Sequence, residues 1–404
     1  MNILAIESSC DETACAIIKD GTEILSNVVA SSTAMHEKWG GIVPEVAARE
    51  QLSSIIPVLT EALLPLCHPE LIDGSYKNNK IQDSGSEAGM TETKSLIQNN
   101  IDAITVTVGP GLIGSLLIGI ETAKTLAFVT GKPIIPVNHV LAHMYANFLK
   151  VNFARRPLSK LNTTMQQFNI ETIVFPAISL VVSGGHTELF LMNSVKDLKW
   201  LGGTIDDAAG EAFDKTARLL GFGSRGGLAI QESAQLYCHS CESRNLEYKI
   251  PDQVRNDRNK AVKLPRPLLH DNTLNFSFSG LKTAILREVN KLKENNQLDD
   301  MMVQQLAFEV QEAITDVLVA KTIKAVEQYN AKSILISGGV ASNLHLREKF
   351  ISNLSQSSPQ ISFFAPIPSL CTDNAAYIGS YAYFRGKPVD WHDVTAVPDL
   401  SVEV

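Results

Sequence analysis

Basic residues are in the minority in this chain: 35 Lys and Arg stand against 43 Asp and Glu, for a net charge of −8 over 404 residues. That balance excludes a protein that holds nucleic acid by bulk electrostatic attraction. A local cluster, Arg155, Arg156 and Lys160 in FARRPLSK, reads as a solvated loop. No apolar run is long enough to span a bilayer, so no membrane partner is expected. The opening MNILAIESS enters a strand-like pattern directly, with no basic leader or cleavage site, and the expected location is the cytoplasm. Cysteine is sparse. Cys10, Cys15, Cys67, Cys238, Cys241 and Cys371 are scattered in a way that suits reduced thiols rather than a disulfide framework. Cys238 and Cys241 form a lone CxxC with no second pair nearby, which disfavours a zinc knuckle. No Gly-Lys-Ser/Thr follows any glycine turn, so there is no Walker A loop.

What is present is an ordinary soluble α/β composition, 45% hydrophobic and 19% charged, long enough for two or three domains. Two segments share one plan. ILAIESSCDETACAII (3–18) reads as strand, polar turn, strand, and ISLVVSGGHTELFLM (178–192) repeats it with SGGHTE at the turn. VTVGPGLIGSLLIGIETAKTLAFV (106–129) and SILISGGVASNLHLREKF (333–350) each read as strand, Gly-rich turn, helix. A duplicated α/β lobe, with polar turns converging on a central cleft, accounts for both pairs. Residues 67–100, 150–172 and 238–262 break the pattern with Ser, Asn, Gly and charge, and read as partly disordered surface insertions.

Within this frame the glycine turns VGPGLIGS (108–115) and ISGGVASN (336–343) bring backbone N–H groups and a helix N-terminus toward an anion. In GGTIDDAAGEAFDKTARLLG (202–221), Asp207, Glu211 and Asp214 fall at i, i+4 and i+7, a carboxylate stripe in an otherwise apolar helix; Asp206 joins them as a cleft candidate. In NHVLAHMYANFL (138–149), His139 and His143 lie four apart and share a helix face, which serves a metal pair or a packing pair equally well. Asp373 in CTDNAAYIG could complete a two-histidine, one-carboxylate set, although capping by Thr372 or Asp373 of the following helix explains it as well. HVLAH is not HExxH: Val140 stands where a zinc peptidase needs its glutamate, so a water-activating metallopeptidase is disfavoured.

The segments IESSCDETA, GGIVPEVAARE, GPGLIGSLLIG, NHVLAH, VSGGHTEL, DDAAGEAFDK, FSFSGLKTA, ISGGVASN and CTDNAA, in this order, closely resemble the TsaD (Gcp/YgjD) family of tRNA N6-adenosine threonylcarbamoyltransferases. The resemblance spans nearly the whole chain apart from the three insertions. It implies an actin-like (ASKHA) α/β fold, two ribonuclease-H-like lobes around a central cleft. Residues 1–134 with a C-terminal helix at about 373–388 would form one lobe, and 135–372 the other. It implies transfer of threonylcarbamoyl from threonylcarbamoyl-AMP to N6 of the adenosine 3′ of the anticodon in tRNAs reading codons that begin with adenosine. His139, His143 and Asp373 match the ligands of one Fe2+ or Zn2+ per subunit. Val182, Ser183, Gly184, Gly185, His186, Asp214, Gly227 and Asn343 match positions that hold the adenylate, and Asp11 and Glu12 match acidic residues at the reaction centre. The implied partners are tRNA, a TsaB-like paralogue, a TsaE-like ATPase and an enzyme that makes the adenylate. An ATP-dependent kinase on the same fold is the alternative. The chain departs from the family at Gln51, where histidine is usual, and in GFGSRGGLAI, where Ser224, Arg225 and Leu228 replace Tyr, Pro and Pro.

Overall fold

The computed structural model describes residues 1–36, 39, 41–67, 87–150, 173–223, 226–244, 262–402 and 404. They fall into two compact units: Met1–Phe175 with Met192–Lys199 and Pro366–Val404, and Pro176–Leu191 with Trp200–Ala365.

The first unit carries β1 (Asn2–Glu7), β2 (Glu12–Lys19), β3 (Glu23–Ser31), β4 (Ala103–Gly109) and β5 (Ile134–Asn138), in the sheet order β3-β2-β1-β4-β5. β1 runs antiparallel to β2 and parallel to β4. The apolar residues of β1 and β2 are nearly continuous because both faces of the sheet are covered. Successive side chains point to opposite faces. Leu4, Ile6, Cys15 and Ile17 therefore join one core with Ile55, Leu59, Leu116 and Ile120, while Ile3, Ala5, Ala16 and Ile18 join another with Ala375, Tyr377 and Ile378. The helices covering these faces include α2 (Pro44–Cys67) and α4 (Ile113–Thr130) on one side and α12 (Ala375–Arg385) on the other. The remaining helices of this unit are α1 (Thr33–His36), α3 (Glu87–Asn100), α5 (His139–His143) and α11 (Pro368–Cys371).

Two expectations change here. The 18 residues of α4 are long and apolar enough to cross a membrane by length and composition, at a mean hydropathy of 1.4. Glu121 and Lys124, which pair at 3.3 Å, interrupt the run in sequence, while Leu116, Ile120, Ala123 and Ala127 pack into the core of the first unit. Residues 87–100, read as part of an insertion, form α3. Ile97 is fully buried in that same core, and a segment so rich in polar residues leaves little periodic signal. Residues 68–86, 151–172 and 245–261, which make up most of the three expected insertions, lie outside the described residues, as do Arg155, Arg156, Lys160, Ser224 and Arg225.

The second unit repeats the plan with β6 (Ala177–Val182), β7 (Thr187–Met192), β8 (Leu198–Gly203), β9 (Ser333–Ser337) and β10 (Ser362–Phe364), in the order β10-β9-β6-β7-β8. Read from its third strand, each sheet runs third, second, first, fourth, fifth, and β6 pairs in parallel with β9 as β1 does with β4. Its helices are α6 (Ala209–Leu219), α7 (Gly226–Arg244), α8 (Ser279–Glu294), α9 (Asp300–Tyr329) and α10 (Leu344–Ser357). α7 takes in Cys238, at the start of the third expected insertion. The order 3-2-1-4-5 is that of ribonuclease H, and its duplication in one chain is the α/β, actin-like (ASKHA) fold.

Candidate metal centre

His139 and His143 occupy the two ends of α5, a helix of five residues. Its N-cap is Asn138, whose Oδ1 accepts the N–H groups of Val140 and Leu141. Asp373 does not cap α12, contrary to the capping explanation. Asn374 does so by accepting the N–H of Ala376, and the Asp373 carboxylate is left to face the histidines. Its Oδ1 lies 3.6 Å from His139 Nε2 and 3.5 Å from His143 Nε2. Candidate ligand atoms of the three residues all fall within 4.8 Å of one another. The histidines are buried, whereas the Asp373 side chain keeps 23% of its surface, so the set is closed on the protein side and reachable at the carboxylate.

The surroundings suit a cation. His139 Nδ1 donates to Glu7 Oε2 at 3.1 Å, which selects the tautomer with Nε2 free to ligate. Tyr377 Oη donates to Asp373 Oδ1 at 3.3 Å and orients the third group. Burial would raise the pKa of Glu7, but His139 and donors from Ser9 and Thr107 outweigh it and hold the carboxylate below its usual range. Burial alone would discharge His139; Glu7 and Asp373 instead raise its pKa to about 9. Asp373 is pushed up by burial, with Glu7 and Asp11 adding to the rise and His139 opposing it. Glu12 is pushed up to about 10, first by burial and then by Asp373 and Asp11. Glu7 and Asp373 thus face the imidazoles, with Asp11 and Glu12 adding negative charge beside Asp373, at a cost that a divalent cation would relieve. Once a cation displaces the proton that Glu7 and Asp373 hold on His139, two imidazole nitrogens and one carboxylate are donors for iron or zinc, and leave coordination positions free for substrate.

The turn between β1 and β2 carries Asp11 and leads into Glu12, the first residue of β2, and its carbonyls are all engaged inward. Gln51, buried on α2, donates from Nε2 toward the carbonyls of Ser8 (3.3 Å), Cys10 (2.9 Å) and Glu12 (3.0 Å). Leu112 N–H holds Ser9 O, Ser115 Oγ holds Cys10 O, and Ser32 holds Asp11 O. Thr33 Oγ1 donates to Asp11 Oδ2 at 2.9 Å. Glu7, Gln51, Asn138 and Tyr377 were not singled out as site residues from sequence. Glu7 left one usable signal, a lone acid in a strand of buried apolar residues, which is costly unless paired.

In the second unit the expected adenylate residues lie on the β6–β7 turn, on α6, at the start of α7 and at the start of α10. Val182 ends β6, and the turn of Ser183, Gly184, Gly185 and His186 is closed by Ser183 N–H donating to His186 O at 2.8 Å. Gly184 and Gly185 are exposed. At Gly338, φ is +90° and a Cβ would lie 2.4 Å from Val182 O, so only glycine lets the ISGGVASN turn approach β6. Asp214 receives the N–H groups of Gly226 and Gly227 at the start of α7; burial nevertheless raises its pKa. Asn343 is buried, caps α10 by accepting Leu346 N–H, and donates to Gln311 Oε1 at 3.1 Å. The expected carboxylate stripe is corrected. α6 begins at Ala209, so Asp207 lies before it and, with Glu211, is neutralised by Lys215 at 2.7 and 2.9 Å. Asp206 serves α8 instead, accepting from the N–H groups of Phe278 and Ser279 and from both serine hydroxyls, Ser277 and Ser279.

The doubled fold and the His-His-Asp set define an ASKHA-class protein with a candidate metal centre in its first unit. The family model for tRNA N6-adenosine threonylcarbamoyltransferase, TsaD, matches residues 23–66, 88–163 and 154–380, and the chain belongs to that family. Relatives of that name include those of Persephonella marina, 41% identical over 96% of this chain and 91% of theirs, and Moorella thermoacetica, 39% identical over 99% and 97%. The Listeria welshimeri relative is 37% identical over 99% and 96%. Among solved structures, component A of the Acidaminococcus fermentans (R)-2-hydroxyglutaryl-CoA dehydratase is similar at a TM-score of 0.44 and 12% identity, over 95% of this chain and 98% of that one.

Proposed function

We propose that this chain transfers a threonylcarbamoyl group from threonylcarbamoyl-AMP to N6 of the adenosine 3′ of the anticodon in tRNAs reading codons that begin with adenosine. The observation that carries this reading is the family match along nearly the full chain, with the relatives described above bearing the transferase name rather than that of a kinase. In this reading the adenylate is the activated donor. The N6 amine attacks the carbamoyl carbonyl carbon, the bond from that carbon to the phosphate oxygen breaks, and AMP leaves with the electron pair. A mixed anhydride needs little beyond positioning and charge stabilisation.

His139, His143 and Asp373 would hold one Fe2+ or Zn2+, which when bound supplies Lewis acidity toward substrate oxygens. Glu7 keeps His139 in the ligating tautomer, and Tyr377 keeps Asp373 in place. Asp11 takes the proton released by the attacking amine, a role open to Glu12 only where a bound cation brings its raised pKa back down. The Val182–His186 turn, Asp214, Gly227 and Asn343 are proposed to hold the adenylate. The working location is proposed to be the cytoplasm, with a TsaB-like paralogue and a TsaE-like ATPase as partners.

The test is reconstitution with tRNA, threonine, bicarbonate, ATP and the partner proteins, followed by mass spectrometry of the nucleosides. The modified adenosine is the expected product. Its absence while threonylcarbamoyl-AMP accumulates would sink the assignment. His143→Ala and Asp373→Ala are expected to abolish transfer while the chain stays folded by circular dichroism. Full activity of either variant in chelated buffer contradicts the metal set.

A further inference from the structure

Asn138 ends β5 immediately before the ligand helix, and both ends of its amide are used. Oδ1 accepts Val140 N–H at 3.0 Å and Leu141 N–H at 3.2 Å, while Nδ2 donates to Ser401 O at 2.9 Å, 263 residues away in sequence. The network dictates the amide orientation, because the reverse would set an NH2 group against two N–H donors. α5 runs on directly into a 3-10 helix, Met144–Phe148, at its C-terminal end, whereas its N-terminal end rests on the Asn138 cap. The directions of His139 and His143 therefore depend on what anchors its first turn.

The C-terminal segment that meets Asn138 is itself seated along the first unit. Val389 N–H donates to Ile134 O at 3.0 Å, Val397 N–H to Val108 O at 2.7 Å, and Gly111 N–H to Pro398 O at 3.0 Å. Gly109 has φ +154°, and a Cβ there would stand 1.9 Å from Val397 O. A glycine at this point of β4 is thus what lets the segment pass. The Trp391 ring rests on Phe128 at 5.4 Å between centroids.

We propose that Asn138 is a positioning residue for the metal ligands, held in its capping rotamer by the 389–401 segment acting as a strap. The inference rests on the metal reading above and adds to it: the last residues of the chain set the geometry of a helix 263 positions earlier. Its side-chain amide is engaged at both ends by backbone groups.

Zinc titration of the full metal-free chain by calorimetry tests this, with the visible spectrum of the Co2+ form reporting ligand geometry. Asn138→Ala is expected to weaken Zn2+ binding about tenfold or more, the usual cost of losing a group that orients a ligating histidine. Asn138→Ser keeps a capping oxygen but not the donor to Ser401, and should fall between Asn138→Ala and the unaltered chain. A chain ending at Pro398 should match Asn138→Ser, and both should alter the Co2+ spectrum. Thermal melts establish folding; should Asn138→Ala not fold, the serine variant and the shortened chain decide. Unaltered affinity in Asn138→Ala, or in both of the other two, overturns the proposal. His139→Ala separates the layers. Unchanged zinc binding there overturns the metal reading and this one with it. Lost binding there alongside unaltered binding in Asn138→Ala overturns the positioning role alone.

Discussion

At the scale of single residues, one neutral side chain holds more carbonyls of the acidic segment than any other named above. Gln51 is 1% exposed, and its amide nitrogen faces three backbone carbonyls of the segment that carries Asp11 and Glu12. Replacing it by leucine keeps the apolar stem but leaves these buried acceptors with fewer donors, a loss of about 1–3 kcal/mol. Gln51→Leu should accordingly lower the denaturant midpoint and reduce transfer. An unchanged midpoint would mean that the turn does not rely on Gln51. The sequence shows the departure from histidine at this position but not its consequence, because the three carbonyls belong to residues about forty positions away. His139 and His143 were legible as a pair through helical spacing. The exclusion of a peptidase was legible too, since Val140 occupies the position a catalytic glutamate would need.

At the scale of elements, polar residues read as lining a cleft turn out to fasten helices. Asp206 supplies the missing cap of α8 from 72 residues away, and Lys215 ties Asp207 to Glu211. α9 and α10 are joined by charge: Glu312 pairs with Lys349 at 2.8 Å and with His345, and Lys349 also reaches Asp316 at 2.5 Å. Burial opposes ionisation of Glu312, but His345 and Lys349 prevail and lower its pKa from 4.5 to about 2. A depressed folded-state pKa gives stability that is complete above the unfolded value and disappears as pH falls through the folded one. The melting-temperature advantage of the unaltered chain over Glu312→Gln should therefore hold above pH 4.5 and shrink as pH falls toward about 2. An advantage independent of pH across that window would show that the network does not contribute through this charge. Spacing could not reveal these pairings, since a carboxylate stripe has the same pattern whether it meets solvent, ligand or lysine.

At the scale of the whole molecule, a net charge of −8 and a pI near 5.6 oppose tRNA binding by long-range attraction. The isolated chain should bind tRNA weakly and release it as salt is raised, measurable by filter binding across a salt series. Tight, salt-resistant binding without partners would contradict this. The amino-acid sequence by itself determined the two strand–turn–strand segments, the glycine turns, the histidine pair and the family, because strand and helix periodicities and short-range motifs act within a few residues along the chain. Only the tertiary structure decided that Asp373 turns to the histidines while Asn374 caps, that Glu7 selects the His139 tautomer, and that Ser401 bonds to Asn138. Except for the Asn374 cap, which is local but leaves Asp373 free to turn, each is a contact between residues distant along the chain, and its geometry exists only once the elements bearing them have packed.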